Sequence, residues 1–200
     1  MGESLIPLLE EVRGCRHCEA ELPLGPRPVV RASASARVLV VGQAPGTRVH
    51  ASGVPWDDPS GVRLRQWLDM TPEVFYDTRH LAIVPMGFCY PGRGRGGDLP
   101  PRPACAPLWH PRLLDAMPDI RLVLLIGRYA QRRYLPDWRG SLSETVQSFR
   151  EVPAPFFPLP HPSPRNTRWL RQRPWFEEEV VPALRVRVRR ILGACLFSGQ

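Results

Sequence analysis

The feature that most constrains the fold is a series of short, unbroken apolar runs spaced along the chain. These runs are rich in Val, Leu and Ile, and the segments between them carry apolar residues at helical spacing. Parallel strands that are buried on both faces have this composition, whereas a strand with one solvent-exposed face alternates apolar and polar residues. The predicted strands cover residues 37–41, 81–84 and 122–126, and a weaker, proline-interrupted strand covers residues 155–159.

The segments between the predicted strands are long enough for helices. Strands that alternate with helices along the chain predict a layered α/β protein. We therefore expect a three-layer α/β/α sandwich around a central, mostly parallel sheet of about four strands, formed as a single domain by residues 1–200. Ser60 is the predicted N-cap of one helix, and Gly193 is the predicted end of the last. The predicted helices cover residues 3–13, 60–70, 107–117, 128–135 and 175–192.

The charge of the chain points to a polyanionic partner. The net charge is +8 and the pI is ≈ 10.0, which suits nucleic acid, although an overall preference for arginine would produce the same excess. No segment approaches the ~20 apolar residues of a membrane-spanning helix, and the N-terminus lacks the charged-then-apolar pattern of an export signal. We therefore expect a cytoplasmic monomer with no membrane partner.

Cysteine placement predicts a metal site rather than disulfides. In a reducing compartment the five cysteines are not expected to pair, so clustered ones indicate a metal. Cys15 and Cys18 form a Cys-x-x-Cys pair, and Cys89 and Cys105 flank a proline-rich loop. Four thiolates suit a tetrahedral zinc ion or an iron–sulfur cluster. Cys195 is left over, and we expect it to be a packed or terminal thiol.

Two motifs carry the chemistry. Gly-Gln-Ala-Pro-Gly at 42–46 ends the first predicted strand, and ligands of open α/β sheets bind at such strand ends. His-Pro-Ser-Pro-Arg-Asn at 161–166 follows the last predicted strand. Together they resemble the two signature motifs of the uracil-DNA glycosylase superfamily. Ser-Gly-Val-Pro-Trp at 52–56 resembles a segment of that superfamily's iron–sulfur branch, whose four cysteines are similarly spaced. The resemblance covers about residues 10–180.

The resemblance implies roles for individual residues of these motifs. His161 is expected to donate a hydrogen bond to an oxygen of a damaged base, and Trp56 to stack on that base once it is flipped out of the duplex. Asp58 begins an Asp-Pro-Ser-Gly stretch that is similar to an Asp-Ala-Ser-Gly stretch of another branch, so it is expected to activate water, with Asp57 in reserve. Gln43 is expected to orient that water or to contact the base.

The base pocket is expected to include Gly42, Ala44 and Asn166 as well. Two structural alternatives stay open for the residues just assigned. Trp56 could be an ordinary core tryptophan, and Asp58 could serve only as the cap of the helix that follows it.

Several arginines and one tryptophan are the candidates for contacts with DNA. The loop at 90–104 is rich in Gly, Pro and Arg, and a metal site would pin it beside the DNA. The segment after the second motif is expected to bind phosphates and to enter the minor groove, with a tryptophan or Leu170 filling the space that the flipped base leaves. A solvated loop is the alternative for that segment. The expected DNA-binding residues are Arg93, Arg95, Arg165, Arg168 and Trp169.

The implied activity belongs to base excision repair: a monofunctional DNA glycosylase that removes uracil or a related deaminated base by water attack. Because the chain contains no lysine, only its N-terminal amine could form the Schiff base of a strand-cleaving glycosylase, so no lyase activity is expected. Such a protein would associate with the nucleoid when bound to DNA. The branch that it resembles favours a [4Fe–4S] cluster over zinc.

One departure from the superfamily pattern leaves the substrate open. Uracil-specific members usually read the base edge with an asparagine just after the second strand, and residues 84–88 contain none. A glycosylase for hypoxanthine, xanthine or mismatched bases is therefore an alternative. A catalytically silent protein that binds damaged DNA on the same scaffold is another, since Gln43 cannot act as a base.

Overall fold

The structure, a computed structural model, describes residues 4–136 and 140–197. Its strands are β1 (Val38–Val41), β2 (Leu81–Ile83), β3 (Arg93–Gly94), β4 (Gly97–Asp98), β5 (Leu122–Ile126) and β6 (Phe156–Leu159). Four of them form one sheet in the order β2-β1-β5-β6, and every neighbouring pair is parallel. The predicted α/β sheet is therefore confirmed. The strands β3 and β4 form a small antiparallel hairpin inside the loop after β2, where only a loop was predicted.

Helices cover both faces of this sheet. They are α1 (Leu5–Arg13), α2 (Thr47–Ser52), α3 (Pro59–Leu68), α4 (Pro72–Tyr76), α5 (Cys105–Asp115), α6 (Arg128–Tyr134), α7 (Leu142–Gln147), α8 (Thr167–Arg171) and α9 (Val181–Leu192). One face carries α1, α5 and α6, and the other carries α3, α4, α7, α8 and α9. This is the predicted three-layer sandwich. Within the described residues no helix combines the length and the apolar character needed to cross a membrane.

The central strands are buried on both sides, which explains their unbroken apolar sequence. Val38 and Val40 of β1 face the layer that contains α3 and α9, while Leu39 and Val41 face the layer that contains α1 and α5. All of them are fully buried. Continuous apolar runs are therefore required in this sheet, because each strand packs against helices on both faces.

Several helix ends lie one or two residues from their predicted positions, as at both ends of α5, and two helix starts differ in kind. The N-cap of α3 is Asp58, not Ser60: its side chain accepts a hydrogen bond from the backbone N–H of Gly61 at 2.8 Å. The helix starts at Pro59, a residue that needs no N–H partner at this position. The C-terminal helix begins with a π-helical turn at Phe176–Val180 and then continues as α9, with Gly193 at its end as predicted.

The topology defines where a ligand can bind. The chain passes from β1 outward to β2 and then returns to the other side of β1 to form β5, so the strand order reverses between β1 and β5. Parallel sheets leave a crevice at the carboxyl ends of the strands at such a reversal. Both sequence motifs lie there, since residues 42–46 follow β1 and residues 161–166 follow β6.

Candidate active site

A cavity of about 440 Å³ opens at the carboxyl ends of the strands. It is formed by the loops after β1, β2 and β6, by the start of α3 and by the β3–β4 hairpin. The cavity collects most of the residues that the motifs predicted. Those that line it are Gly42, Gln43, Ala44, Trp56, Asp58, His161, Arg165 and Asn166.

His161 has a defined ring orientation. The backbone N–H of Ser163 donates to its Nδ1 at 3.2 Å, so the proton of the neutral imidazole lies on Nε2. Burial lowers the pKa of His161, and the nearby Asp58 carboxylate only partly opposes that effect. The ring is therefore neutral at pH 7, and in the cavity it presents an N–H donor rather than a charge.

The loop that carries His161 is braced from two sides. Asn166 Nδ2 donates to the carbonyl oxygen of His161 at 2.7 Å, which closes the loop on itself. From α3, Arg63 donates to the carbonyl oxygen of Ser163 at 3.1 Å and to Thr167 Oγ1 at 3.3 Å. Asn166 lines the cavity, where its amide nitrogen donates to this brace and its amide oxygen has no partner among the described residues.

Trp56 forms one wall of the cavity with its ring. Its backbone adopts φ 60°, a conformation that is uncommon for a bulky residue. Two glycines permit its position: a Cβ on Gly61 would stand 1.7 Å from the Trp56 carbonyl oxygen, and a Cβ on Gly42 would stand 2.8 Å from Trp56 Cζ2. The ring centroid lies 5.6 Å from that of His161. Trp56 also packs against the core, so the structural alternative for this residue holds for part of its side chain, and stacking on a base stays a prediction.

Asp58 serves two purposes at once. It caps α3 through Oδ1, and it lines the cavity close enough to His161 for its charge to oppose part of the lowering of that residue's pKa by burial. The structural alternative for Asp58 is thus present in the fold without removing the carboxylate from the cavity. Asp57 is exposed and does not line the cavity.

Gln43 connects the first motif to the hairpin. Its Nε2 donates to the carbonyl oxygen of Leu99 at 3.4 Å, and its backbone carbonyl accepts from Gly87 N–H at 2.9 Å. Ala44 contributes apolar wall beside it. The side chain of Gln43 thus lies at the cavity rim, between the sheet and the hairpin.

The hairpin contributes to the cavity a carboxylate, Asp98, that the sequence motifs did not predict. Gly96, Gly97 and Asp98 line the cavity, and Arg165 Nη1 donates to the carbonyl oxygen of Gly96 at 2.9 Å. Asp98 stands far from both motifs in the sequence. Its only local signal was that it is an acidic residue in a loop rich in arginine and glycine, which does not reveal which site the loop covers.

A second cavity of about 280 Å³ adjoins the first. Arginines from three different segments line it: Arg48 from α2, Arg93 from β3 and Arg165 from the second motif. All three are exposed. Arg93 and Arg165 were predicted to bind DNA, and the structure brings them together with Arg48, which the sequence reasoning did not single out.

The other predicted DNA contacts lie outside both cavities. Arg95 and Arg168 are exposed and line neither cavity. Trp169 is packed: its Nε1 donates to Ser143 Oγ at 2.9 Å, and its ring meets that of Trp175 edge-on, with centroids 5.8 Å apart. Leu170 is buried in the core, so it could enter a duplex only if α8 moved away from the core. DNA contact by Trp169 stays a prediction.

The four predicted metal ligands are brought to one place. Cys15, Cys18, Cys89 and Cys105 line a single small pocket with apolar walls, although they come from three separate segments. Burial raises the pKa of Cys89 to about 11 and that of Cys105 to about 12, and the other cysteines add to both shifts. In the described residues no three His, Cys, Asp or Glu side chains stand in an arrangement that would itself hold a metal ion. The side chain of Cys195 lies outside the described residues.

A buried histidine links the helix that carries Cys105 to the cavity at the strand ends. His110 on α5 donates from Nε2 to the carbonyl oxygen of Pro85 at 2.9 Å, and its Nδ1 accepts from the Tyr134 hydroxyl at 2.6 Å. Pro85 lines the cavity just after β2. Burial lowers the pKa of His110 to about 4, so it is neutral and can accept from Tyr134. The cavity wall after β2 is therefore apolar, and the hydrogen bond from His110 to Pro85 holds it in place.

The chain also matches a known protein family. The family model of the uracil DNA glycosylase superfamily matches residues 30–185 of the 200. The match includes both motifs, the whole sheet and the hairpin.

Proposed function

The chain belongs to the uracil-DNA glycosylase superfamily, whose members act on DNA, and on that basis we propose that it is a monofunctional DNA glycosylase for uracil or a related deaminated base. One observation carries the proposal. A neutral His161, with its proton on Nε2, shares a cavity with the Trp56 ring and the Asp58 carboxylate. His161 supplies a donor to the leaving base, Trp56 a surface on which the base can stack, and Asp58 a group that can accept the proton of the attacking water.

Binding would begin with removal of the base from the duplex. A stacked base is out of reach of these groups, so the nucleotide must rotate into the cavity at a cost of a few kcal/mol. Stacking on an aromatic ring returns ~1–3 kcal/mol per base. The exposed part of Trp56 provides that ring, and the glycines at 42 and 61 hold it in place.

The chemical step would be dissociative. As the C1′–N bond breaks, its electron pair stays on the base, and His161 Nε2–H stabilises the negative charge that grows on a base oxygen. A water oxygen bonds to C1′ and gives its proton to Asp58, while the base anion later takes a proton from solvent. Asp58 can serve in this way because capping occupies only its Oδ1.

The monofunctional assignment is supported by composition. A strand-cleaving glycosylase needs an amine nucleophile to form a Schiff base, and the chain has no lysine. Water is the remaining nucleophile, apart from the N-terminal amine. The product would be an intact strand with an abasic site.

The observations constrain the identity of the excised base less than they constrain the reaction. At the place where an asparagine would read the base edge, the cavity has Pro85, and the carbonyl of Pro85 is occupied by His110. A cavity of about 440 Å³ has room for a purine as well as for a pyrimidine. These observations favour hypoxanthine or xanthine as a second class of substrate.

We also propose that the four clustered cysteines hold a [4Fe–4S] cluster, with structural zinc as the alternative. The type and number of donors suit either group, since four thiols from three segments line one pocket. Backbone N–H groups also support sulfur ligands there, because Phe88 N–H donates to Cys105 Sγ at 3.4 Å. The group would crosslink the N-terminal segment, the hairpin loop and the start of α5, which is a structural role.

The test is incubation of the purified protein with oligonucleotides that contain uracil, hypoxanthine or xanthine, single- and double-stranded, followed by alkali. We expect strand breaks at the modified base only after alkali, because the enzyme leaves an abasic site. Breaks without alkali would contradict the monofunctional assignment. Tight binding to all of these oligonucleotides without any abasic site would favour the silent damage binder.

A further inference from the structure

The two adjoining cavities together match the order of the parts of a nucleotide, which are base, sugar and phosphate. The base cavity and the arginine cavity share four lining residues: Gly46, Asp58, Asp98 and Arg165. A nucleotide has its sugar between the base and the phosphate. The shared residues therefore lie where the sugar of a flipped nucleotide would sit.

The two ends of this pair of cavities differ in chemistry. The end nearer the sheet is lined by Val29, Val49, Ile83 and Pro85 and suits the flat faces and edges of a base. At the other end three arginines converge, and the guanidinium group suits phosphate oxygens. For Arg48 and Arg93 no ion pair is found among the described residues, so a phosphate would meet them without first displacing a carboxylate.

Two carboxylates, Asp58 and Asp98, are among the shared lining residues, and within the described residues only Asp58 makes a hydrogen bond. Asp58 caps α3, whereas the Asp98 carboxylate has no hydrogen-bond or ion-pair partner in the described part of the chain. Asp98 lies against the last residue of the first motif: a Cβ on Gly46 would stand 3.4 Å from Asp98 Oδ2. The hairpin is held in this position from both motifs, by Gln43 at Leu99 and by Arg165 at Gly96.

We propose that Asp98 is a second catalytic carboxylate, which faces the sugar of the flipped nucleotide, while Arg48, Arg93 and Arg165 bind the adjoining phosphate. This inference rests on the proposed glycosylase function. When the C1′–N bond breaks, positive charge develops on the sugar ring. A carboxylate beside that charge stabilises it, while Asp58 accepts the proton of the attacking water. Asp98 takes no proton and forms no bond in this step.

The position of Asp98 predicts that its charge has opposite effects on DNA affinity and on the rate of excision. In the ground state the Asp98 carboxylate lies beside arginines that bind a phosphate, so it opposes the approach of DNA. In the transition state it stabilises the sugar cation. Removing its charge should therefore slow excision and strengthen binding, whereas a purely structural residue would weaken both.

The experiment compares Asp98→Asn with Asp115→Asn, which removes the same charge from α5 at a site that lines neither cavity. Single-turnover excision is measured on uracil DNA, and affinity is measured on DNA that carries 2′-fluoro-deoxyuridine, which resists cleavage. For Asp98→Asn we expect excision to be slower by a factor of ~10–1000, as for loss of one preorganised electrostatic group. We expect its affinity for the uncleaved analogue to be higher by a factor of about 2–10.

Either of two results would overturn the inference: excision by Asp98→Asn within twofold of Asp115→Asn, or affinity for the analogue that is unchanged or lower. Asp98→Glu keeps the charge and should recover part of the rate, and equal loss in both Asp98 variants would also overturn it. If the wild-type protein excises no base, the proposed function fails. The affinity comparison still decides whether Asp98 lies beside the bound nucleotide.

Discussion

The backbone N–H of Ser163 donates a hydrogen bond to Nδ1 of His161 over 3.2 Å. The second motif thus contains, two residues after its histidine, the donor that determines the tautomer of that histidine. With Nδ1 occupied as an acceptor, the neutral ring carries its proton on Nε2. A protonated ring would place a second N–H against Ser163 N–H, so the geometry favours the neutral form in addition to burial.

The pH dependence of excision should reflect this neutral histidine. Burial lowers the pKa of His161 below its usual value of 6.5, so the ring stays neutral to a lower pH than an exposed imidazole would. We expect the single-turnover rate to be flat between pH 8 and pH 7 and to fall only in more acidic solution. A rate that already declines through pH 7.5 to 7 would contradict the assignment.

Substitutions of the two glycines around Trp56 should differ in their effects on stability and on activity. In Gly61→Ala the new Cβ would clash with backbone at the Trp56 carbonyl, so we expect a loss of about 1–3 kcal/mol in the free energy of unfolding, together with reduced excision. In Gly42→Ala the clash is with the end of the Trp56 ring, which can rotate. We therefore expect lower activity with less loss of stability.

The control for these variants is Gly14→Ala. A Cβ at Gly14 would make only ordinary contacts of 3.6 Å at the end of α1, away from the cavity. Urea unfolding and single-turnover excision would be measured on all three variants. Wild-type excision by Gly42→Ala would show that the position of the Trp56 ring does not matter for catalysis.

The sequence was sufficient to predict the sheet and insufficient to predict the contents of the site. Strand β5 was found because a strand buried on both faces must be apolar at every position. The short helix α7 was not found, although its capping box of Ser141 and Glu144 is a local signal. Asp98 and Arg48 could not be assigned, because their roles depend on where the hairpin and α2 pack, and no local pattern encodes that packing.

Stability should fall in mild acid because of His110. Burial lowers its pKa to about 4 in the folded protein, against its usual value of 6.5. The unfolded chain therefore binds the proton first, and stability present above pH 6.5 is lost as pH falls towards 4, by roughly 3 kcal/mol in total. Urea unfolding at pH 7, 6 and 5 measures this loss. In His110→Phe we expect most of this pH dependence of the free energy of unfolding to disappear. A pH dependence as steep as that of the wild-type protein would contradict the explanation.

Of the five cysteines, the four that line one pocket should determine the metal content, and the fifth should not. We expect Cys105→Ser to reduce bound iron or zinc per protein molecule and to lower stability, since the metal crosslinks three segments. Cys195→Ser is the matched control and should keep the wild-type metal content. Elemental analysis and visible absorption distinguish an iron–sulfur cluster from zinc. Equal metal content in both variants would contradict the four-cysteine assignment.

The most direct test of the central claim is single-turnover excision of uracil by His161→Ala beside the wild-type protein, with DNA affinity measured in parallel. Loss of one preorganised donor to the leaving base predicts a rate lower by a factor of ~10²–10³. Affinity for DNA should be nearly unchanged, because the donor acts on charge that develops only in the transition state. Near-normal excision by His161→Ala would contradict the proposed mechanism.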